Sequence, residues 1–166
     1  MLTSGFNCLP ICLLIVTIWY LPNCQCWPSG APENACATLS PGHGANQGKP
    51  GSSSPYVITQ SHSDYKPGES VQVVIKSADP HSFRGMLIQA YDPTTGQTVG
   101  KFQSGRGLKT IDSCSSVSHS DRRGKRSATL IWDAPANGQS GKVLFRGTVV
   151  QRYSEFYEGI ESTISP

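Results

Sequence analysis

"VQVVIKS", residues 71–77, decides the fold class. Val71, Val73 and Ile75 fall on one side of an extended chain, with Gln72 and Lys76 on the other, and a period of two belongs to a strand. Upstream, "YKPGES" (65–70) is a Pro-Gly turn, because Pro fixes φ at one position and Gly accepts a positive φ at the next. The segment before that turn, "YVITQS" (56–61), reads as the first strand. Downstream, "GMLIQAY" (85–91) is apolar on both faces, which predicts a central strand. "DPTTGQ" (92–97) then turns the chain into "TVGKF" (98–102), and the two segments are expected to pair as a hairpin. "SATLIW" (127–132) places Ala128, Leu130 and Trp132 on one side. "APANGQSG" (134–141) leads into "KVLFRGTVVQ" (142–151), with Val143, Phe145 and Val149 inward, and "FYEGIEST" (156–163) closes the domain.

No amphipathic helix and no internal repeat interrupts this pattern. Seven or eight short strands without helices predict an all-β, antiparallel β-sandwich. Trp132, Phe145, Phe102 and Phe83 are expected in its core. Tyr153, Phe156 and Tyr157 fit either a sugar- or protein-binding surface or packing at a sandwich edge, and packing is the plainer reading.

The N-terminus has another purpose. Residues 1–26 carry no charged side chain, and Cys8 to Leu21 is a 14-residue apolar run. That is too short for a bilayer span, which needs roughly 20 residues, and suits the core of a secretory signal. A buried helix is the rival, but Pro10 lies inside the run and Pro22 follows it. Cys24 and Cys26 stand at −3 and −1 of a small-x-small site, so cleavage is expected before Trp27. A signal peptide over 1–26 leaves 27–166 as a single exported domain, with an extracellular destination and no stable membrane insertion.

Export bears on the cysteines. Of six, Cys8, Cys12, Cys24 and Cys26 leave with the signal, and Cys36 and Cys114 remain as a natural disulfide pair. Cleavage further upstream would keep Cys24 and Cys26 and make the pairing ambiguous. Residues 27–54, rich in Pro, Gly, Ser and Ala, show no strand or helix period, and Cys36 is their obvious tie.

Motifs for catalysis are missing: no G-x-S-x-G, H-E-x-x-H, P-loop or dinucleotide fingerprint occurs. His43, His62, His81 and His119 lie far apart, none with a second ligand at a zinc spacing. No catalytic residue, metal ligand or cofactor is therefore expected. The net charge of +3 is mild and indicates no dedicated nucleic-acid binder. The densest charge feature is "DRRGKR" (121–126). Arg122, Arg123, Lys125 and Arg126 are the candidate ligand-binding residues, suited to lipid phosphates, sulfated glycans or acidic microbial polymers. The bland alternatives are a solvated loop, or a processing-protease site before Ser127 that would nick the sandwich.

Taken in order, these residues resemble the Reeler domain family. The likeness starts at Cys36 with "PGHG" (41–44) and runs through "SPY" (54–56), "YKPGE" (65–69), "FRG" (83–85), "QA" (89–90) and "GKF" (100–102). It continues with Cys114, Ser118-His119, "WDAP" (132–135), "VLFRGTVVQ" (143–151) and "FYEGIES" (156–162). The resemblance implies an immunoglobulin-like β-sandwich with a disulfide-tethered N-terminal segment, in which His43-Gly44 is turn chemistry beside the tether. Such domains occur alone in small secreted insect proteins described as defence proteins. They also occur at the N-terminus of matrix and guidance molecules and of membrane ferric-chelate reductases. The resemblance carries over no catalytic residues. It implies a secreted, non-enzymatic binding protein of innate defence, whose partner is a microbial surface polysaccharide or lipopolysaccharide. The alternative is an extracellular matrix or adhesion module, or a short product related to the N-terminal domain of a ferric-chelate reductase or receptor. The sequence leaves the oligomeric state open.

Overall fold

The alternation of 71–77 is realised in full: Val71, Val73 and Ile75 are buried, while Gln72 and Lys76 face solvent. The computed structural model describes residues 29–78 and 80–166, so the expected signal peptide, residues 1–26, lies outside the described residues. In chain order the strands are β1 (Lys49–Pro50), β2 (Tyr56–Gln60), β3 (Asp64–Tyr65), β4 (Ser70–Ser77), β5 (Gly85–Tyr91) and β6 (Lys101–Phe102). They continue with β7 (Leu108–Ile111), β8 (Ser116–His119), β9 (Ser127–Asp133), β10 (Gly141–Lys142), β11 (Leu144–Arg152) and β12 (Glu155–Ile164). Three short 3-10 turns, at Glu33–Ala37, Gly51–Ser53 and Asp112–Cys114, are the helical elements among the described residues.

Two layers form, β6-β9-β4-β2 and β12-β11-β5-β8-β7, and β12 joins them into one nine-stranded path, with β1 pairing to β12 beside it as the tenth strand of the sheet. The first part of β12 pairs antiparallel with β11, and Ser162–Ile164 then pairs parallel with β2. Between its partners Val149 and Gly147 on β11, β12 carries a bulge at Glu158 and Gly159, the latter at φ 66°. A bulge bends its strand and increases the twist, which lets one strand serve two sheets. Two parallel pairings, β12 with β2 and β1 with β12, are additions that alternation along single strands does not reveal.

The predicted hairpin of 85–91 with 98–102 does not form as a ladder. The turn exists, with Asp92 N–H donating to Gln97 O at 2.8 Å and one bridge between Tyr91 and Thr98. Beyond it the chain crosses to the other layer, where Lys101 and Phe102 pair with Asp133 and Trp132 of β9. The buried indole is the cause: Trp132 Nε1 donates to Val99 O at 2.9 Å, and Gly100 lies so close that a Cβ would stand 2.3 Å from the ring. Central β5, by contrast, is buried along its whole length between β11 and β8, as its sequence predicts.

Trp132, Phe145, Phe102 and Phe83 all lie in the core, with Trp132 set edge-on to Tyr65 and Phe145. At the seam where β12 changes partner, ladder bonds give way to side chains. Phe145 N–H donates to Ser162 Oγ at 2.8 Å, and Ser162 Oγ donates to Gln60 Oε1. Gln60 Nε2 donates to Val143 O at 2.9 Å and to His62 O at 2.8 Å. The buried polar atoms of the seam are thereby paired, as burial demands.

The segment before β1 runs as a strap over the outer face of the β12-β11-β5-β8-β7 layer. Its anchors are Ala31 N–H to Ser118 Oγ (2.9 Å), the Cys36–Cys114 disulfide (Cα–Cα 6.2 Å), and Ser40 Oγ to Glu158 Oε1. His43 completes the hold, its ring 4.6 Å from that of Tyr153 and edge-on to Phe156 at 5.3 Å. Phe156 is thereby 2% exposed, and Tyr157 is buried against Tyr56, whereas Tyr153 stays 39% exposed.

Two outcomes follow from this packing. Ser162→Ala leaves the Phe145 N–H and one Gln60 oxygen unpaired in a dry site, and should cost about 1–3 kcal/mol in urea unfolding. Replacing Cys36 and Cys114 together by Ser opens a link spanning 78 positions. The chain-entropy model then predicts a loss of up to about 4 kcal/mol. Limited proteolysis of that double variant should cut first within residues 29–48, ahead of any strand.

Candidate functional site

A groove of about 470 Å³ lies between the strap and the layer beneath it. The alternation of β5 and β11 builds its floor. Met86, Ile88 and Ala90 of β5 point into the core, which turns Leu87 to the outer face. Leu87 pairs with Thr148, and Gly85 with Val150, so Leu87, Thr148 and Val150 make one patch. Pro32, Ala35 and Leu39 of the strap form the opposite wall. The groove is mainly apolar, with polar groups at particular places.

Three of those groups are cationic. Arg84, Arg122 and Arg152, all exposed, line the groove. Chain pairing gathers them from three distant segments. Arg84 N–H donates to Val150 O at 2.8 Å, which sets the start of β5 beside the end of β11. Phe83 and Lys125 bridge through paired backbone bonds of 2.9 and 2.8 Å, which brings the 121–126 loop to the same place. Arg152 Nη2 shares Glu155, at 2.8 Å, with Lys49 at 2.6 Å. Neither Arg84 nor Arg122 has a carboxylate partner among the described residues.

The four basic residues singled out from the sequence are treated differently by the fold. Arg122 reaches the groove. Arg123 donates from Nη2 to Asp121 Oδ2 at 2.8 Å and from Nε at 3.2 Å, while Lys125 Nζ donates to Asp121 Oδ1 at 2.6 Å. These two bonds, that of Arg123 foremost, hold the Asp121 carboxyl well below the usual carboxylate range. Arg126 is exposed at the start of β9, its carbonyl accepting from Ser77 N–H at 3.0 Å, and does not line the groove. Arg84 and Arg152 escape sequence reasoning because each stands alone among uncharged neighbours, with no local run to mark it.

Two buried polar atoms beside the groove find no hydrogen-bond partner among the described residues: Thr148 Oγ1 and His43 Nδ1. Thr148 is 2% exposed and also borders a second cavity of about 340 Å³ on the other side of the strap. Burial lowers the His43 pKa from its ordinary value, opposed by a hydrogen bond with the Tyr153 backbone. The His43 ring, tilted against that of Tyr153, borders the groove. His119 lines the groove too, its Nδ1 accepting from Met86 N–H at 3.2 Å. Among the described residues, no three His, Cys, Asp or Glu side chains gather as a metal site, and no helix is long and apolar enough to cross a membrane. The arrangement can hold a ligand with an apolar body and an anionic group.

Comparison with known proteins agrees with the architecture. A protein from Antheraea mylitta named as a defense protein is 31% identical over 153 residues, covering 90% of this chain and 91% of its own. A protein from Danio rerio named as a ferric-chelate reductase is 31% identical over 156 residues, covering 91% of this chain. A Drosophila melanogaster homologue of the same name is 33% identical over 159 residues. The chain spans only about a quarter of the length of these two reductase-named relatives, 27% and 24%. Among solved structures, the reeler domain of human F-spondin superposes with a TM-score of 0.56 at 22% identity, covering 73% of this chain and 92% of that one. That likeness speaks for the fold alone. The Reeler domain model matches residues 34–165, from the strap to the end of β12, and the chain belongs to the Reeler domain family.

Proposed function

We propose that this chain is a secreted, non-enzymatic binding protein of innate defence that recognises a microbial surface polysaccharide or lipopolysaccharide through its anionic groups. One observation carries the reading: Arg84 and Arg122, unpaired with any described carboxylate, line the same groove. Cations that stay unpaired where chain pairing has gathered them make a local positive potential available to an anion. Membership of the Reeler family, and near full-length likeness to a defense-named relative, support a defence or extracellular role. Membership of the Reeler family and likeness to a defense-named relative also favour binding without turnover. The apolar N-terminal run of residues 8–21 supports export.

A second reading, an extracellular adhesion module or the N-terminal part of a ferric-chelate reductase or receptor, draws support from the reductase-named relatives. Full-length transcript sequencing separates the two, because further domains after residue 166 would favour the second.

The defence reading is tested by binding exported protein to immobilised lipopolysaccharide at several salt concentrations. Arg84→Ser combined with Arg122→Ser should weaken binding on the order of tenfold, since exposed charge pairs contribute up to about 1 kcal/mol each. The same variant should also flatten the salt dependence. Arg123→Ser with Lys125→Ser should change binding much less, because Asp121 already engages both. Equal losses from the two double variants would sink the assignment of the anion to Arg84 and Arg122.

A further inference from the structure

We propose that the groove beneath the strap is a binding site for one acyl chain carrying a phosphate head. This rests on the preceding reading for the anion, at Arg84 and Arg122, and adds the chain. Three observations converge. First, the volume of about 470 Å³ lies in the range of about 300–1,000 Å³ typical of small-molecule sites. Second, its walls are apolar on both sides, with Leu87 and Val150 from the sheet and Pro32, Ala35 and Leu39 from the strap. Methylenes gain more from leaving water between such walls than the hydroxyl-bearing rings of a polysaccharide do. Third, Thr148 Oγ1 is a buried hydroxyl with no partner among the described residues, on a side chain lining the groove. Buried polar atoms are normally paired. An ester oxygen next to the acyl chain supplies the missing acceptor.

The charge pattern selects the head. Guanidinium groups bind phosphate oxygens with paired N–H donors, and two of them lining one groove suit a multiply charged phosphate. Asp121, the nearby carboxylate that would repel it, is covered by Arg123 and Lys125. Glu155 is bonded to Lys49 and Arg152, and Glu158 accepts from Ser40. The strap supplies one wall and is pinned by the Cys36–Cys114 link, so the groove exists in the folded, oxidised chain.

Isothermal titration of exported protein with palmitoyl lysophosphatidic acid, below its micelle concentration, tests the site. We expect one ligand per chain, with affinity falling about two- to fourfold for each methylene removed, given half-open burial. Glycerol phosphate, the head alone, should not bind measurably. Ala35→Trp, which fills the groove from the strap wall, should abolish binding while the melting curve shows a folded protein. Arg84→Ser with Arg122→Ser should weaken the phosphate lipid and leave monopalmitoylglycerol, which has the acyl chain without the phosphate, unchanged. Glycerol phosphate binding as well as the acylated ligand, or affinity indifferent to chain length in the unmodified protein, overturns the inference. A delipidated microbial polysaccharide that binds as tightly as the lipidated one also overturns it, yet leaves polysaccharide recognition standing. Acyl phosphate binding with no affinity for any microbial polymer does the reverse.

Discussion

A β-sheet whose outer face carries Leu87, Val150 and Phe156 needs cover, and in this chain the cover is a strap with no secondary structure of its own beyond a 3-10 turn. The strap lacks the apolar period that would let it dock by hydrophobic burial alone. It is held by separated anchors: the Cys36–Cys114 bond, Ser40 on Glu158, and the His43 ring on Tyr153 and Phe156. Between separated anchors a segment without a regular apolar face cannot press evenly onto a sheet, and space is left under it. The groove is the geometric consequence of pinning a segment instead of packing it. An exposed Tyr153 at one edge and an unpaired Thr148 hydroxyl mark where the fit stops.

The sheet itself depends on β12, which serves both layers. A strand that leaves one partner for another strands backbone groups at the crossing, and in a dry interior these must be paired. Ser162 and Gln60 do this by linking β12, β2 and β11 through side-chain oxygens and an amide. The bulge at Gly159 supplies the bend and the polar bridge supplies the missing bonds. The cost is two buried polar side chains, offset because all their bonds are made.

Charge is handled in a similarly local way. The run at 121–126 has four cations and one carboxylate, and any of the four could in principle claim it. The turn geometry gives Asp121 to Arg123 and Lys125, which leaves Arg122 directed to the groove. A basic run thus divides into a structural half that fixes its own loop and a part available to a partner. Arg84 joins that part through strand pairing, from a position where nothing in the local sequence suggests a binding role.

The sequence by itself determined the strands. Alternation in 71–77 and 127–132, continuous apolarity in 85–91, and the inward Val143, Phe145 and Val149 reappear in β4, β9, β5 and β11. These are facts about nearest neighbours along the chain, which period alone encodes. The family likeness and the Cys36–Cys114 pair were legible as well, the pair because the expected removal of residues 1–26 would leave those two cysteines. The two parallel pairings of β12, the crossing of 98–102 to the opposite layer, and the short polar strands β7 and β8 were not, since partner choice depends on what a distant indole or amide needs. The groove was least legible of all. Its floor, wall and cations come from four separate segments, 31–43, 84–87, 119–122 and 148–153, and only the folded backbone, pinned by one sulfur link, decides that they meet.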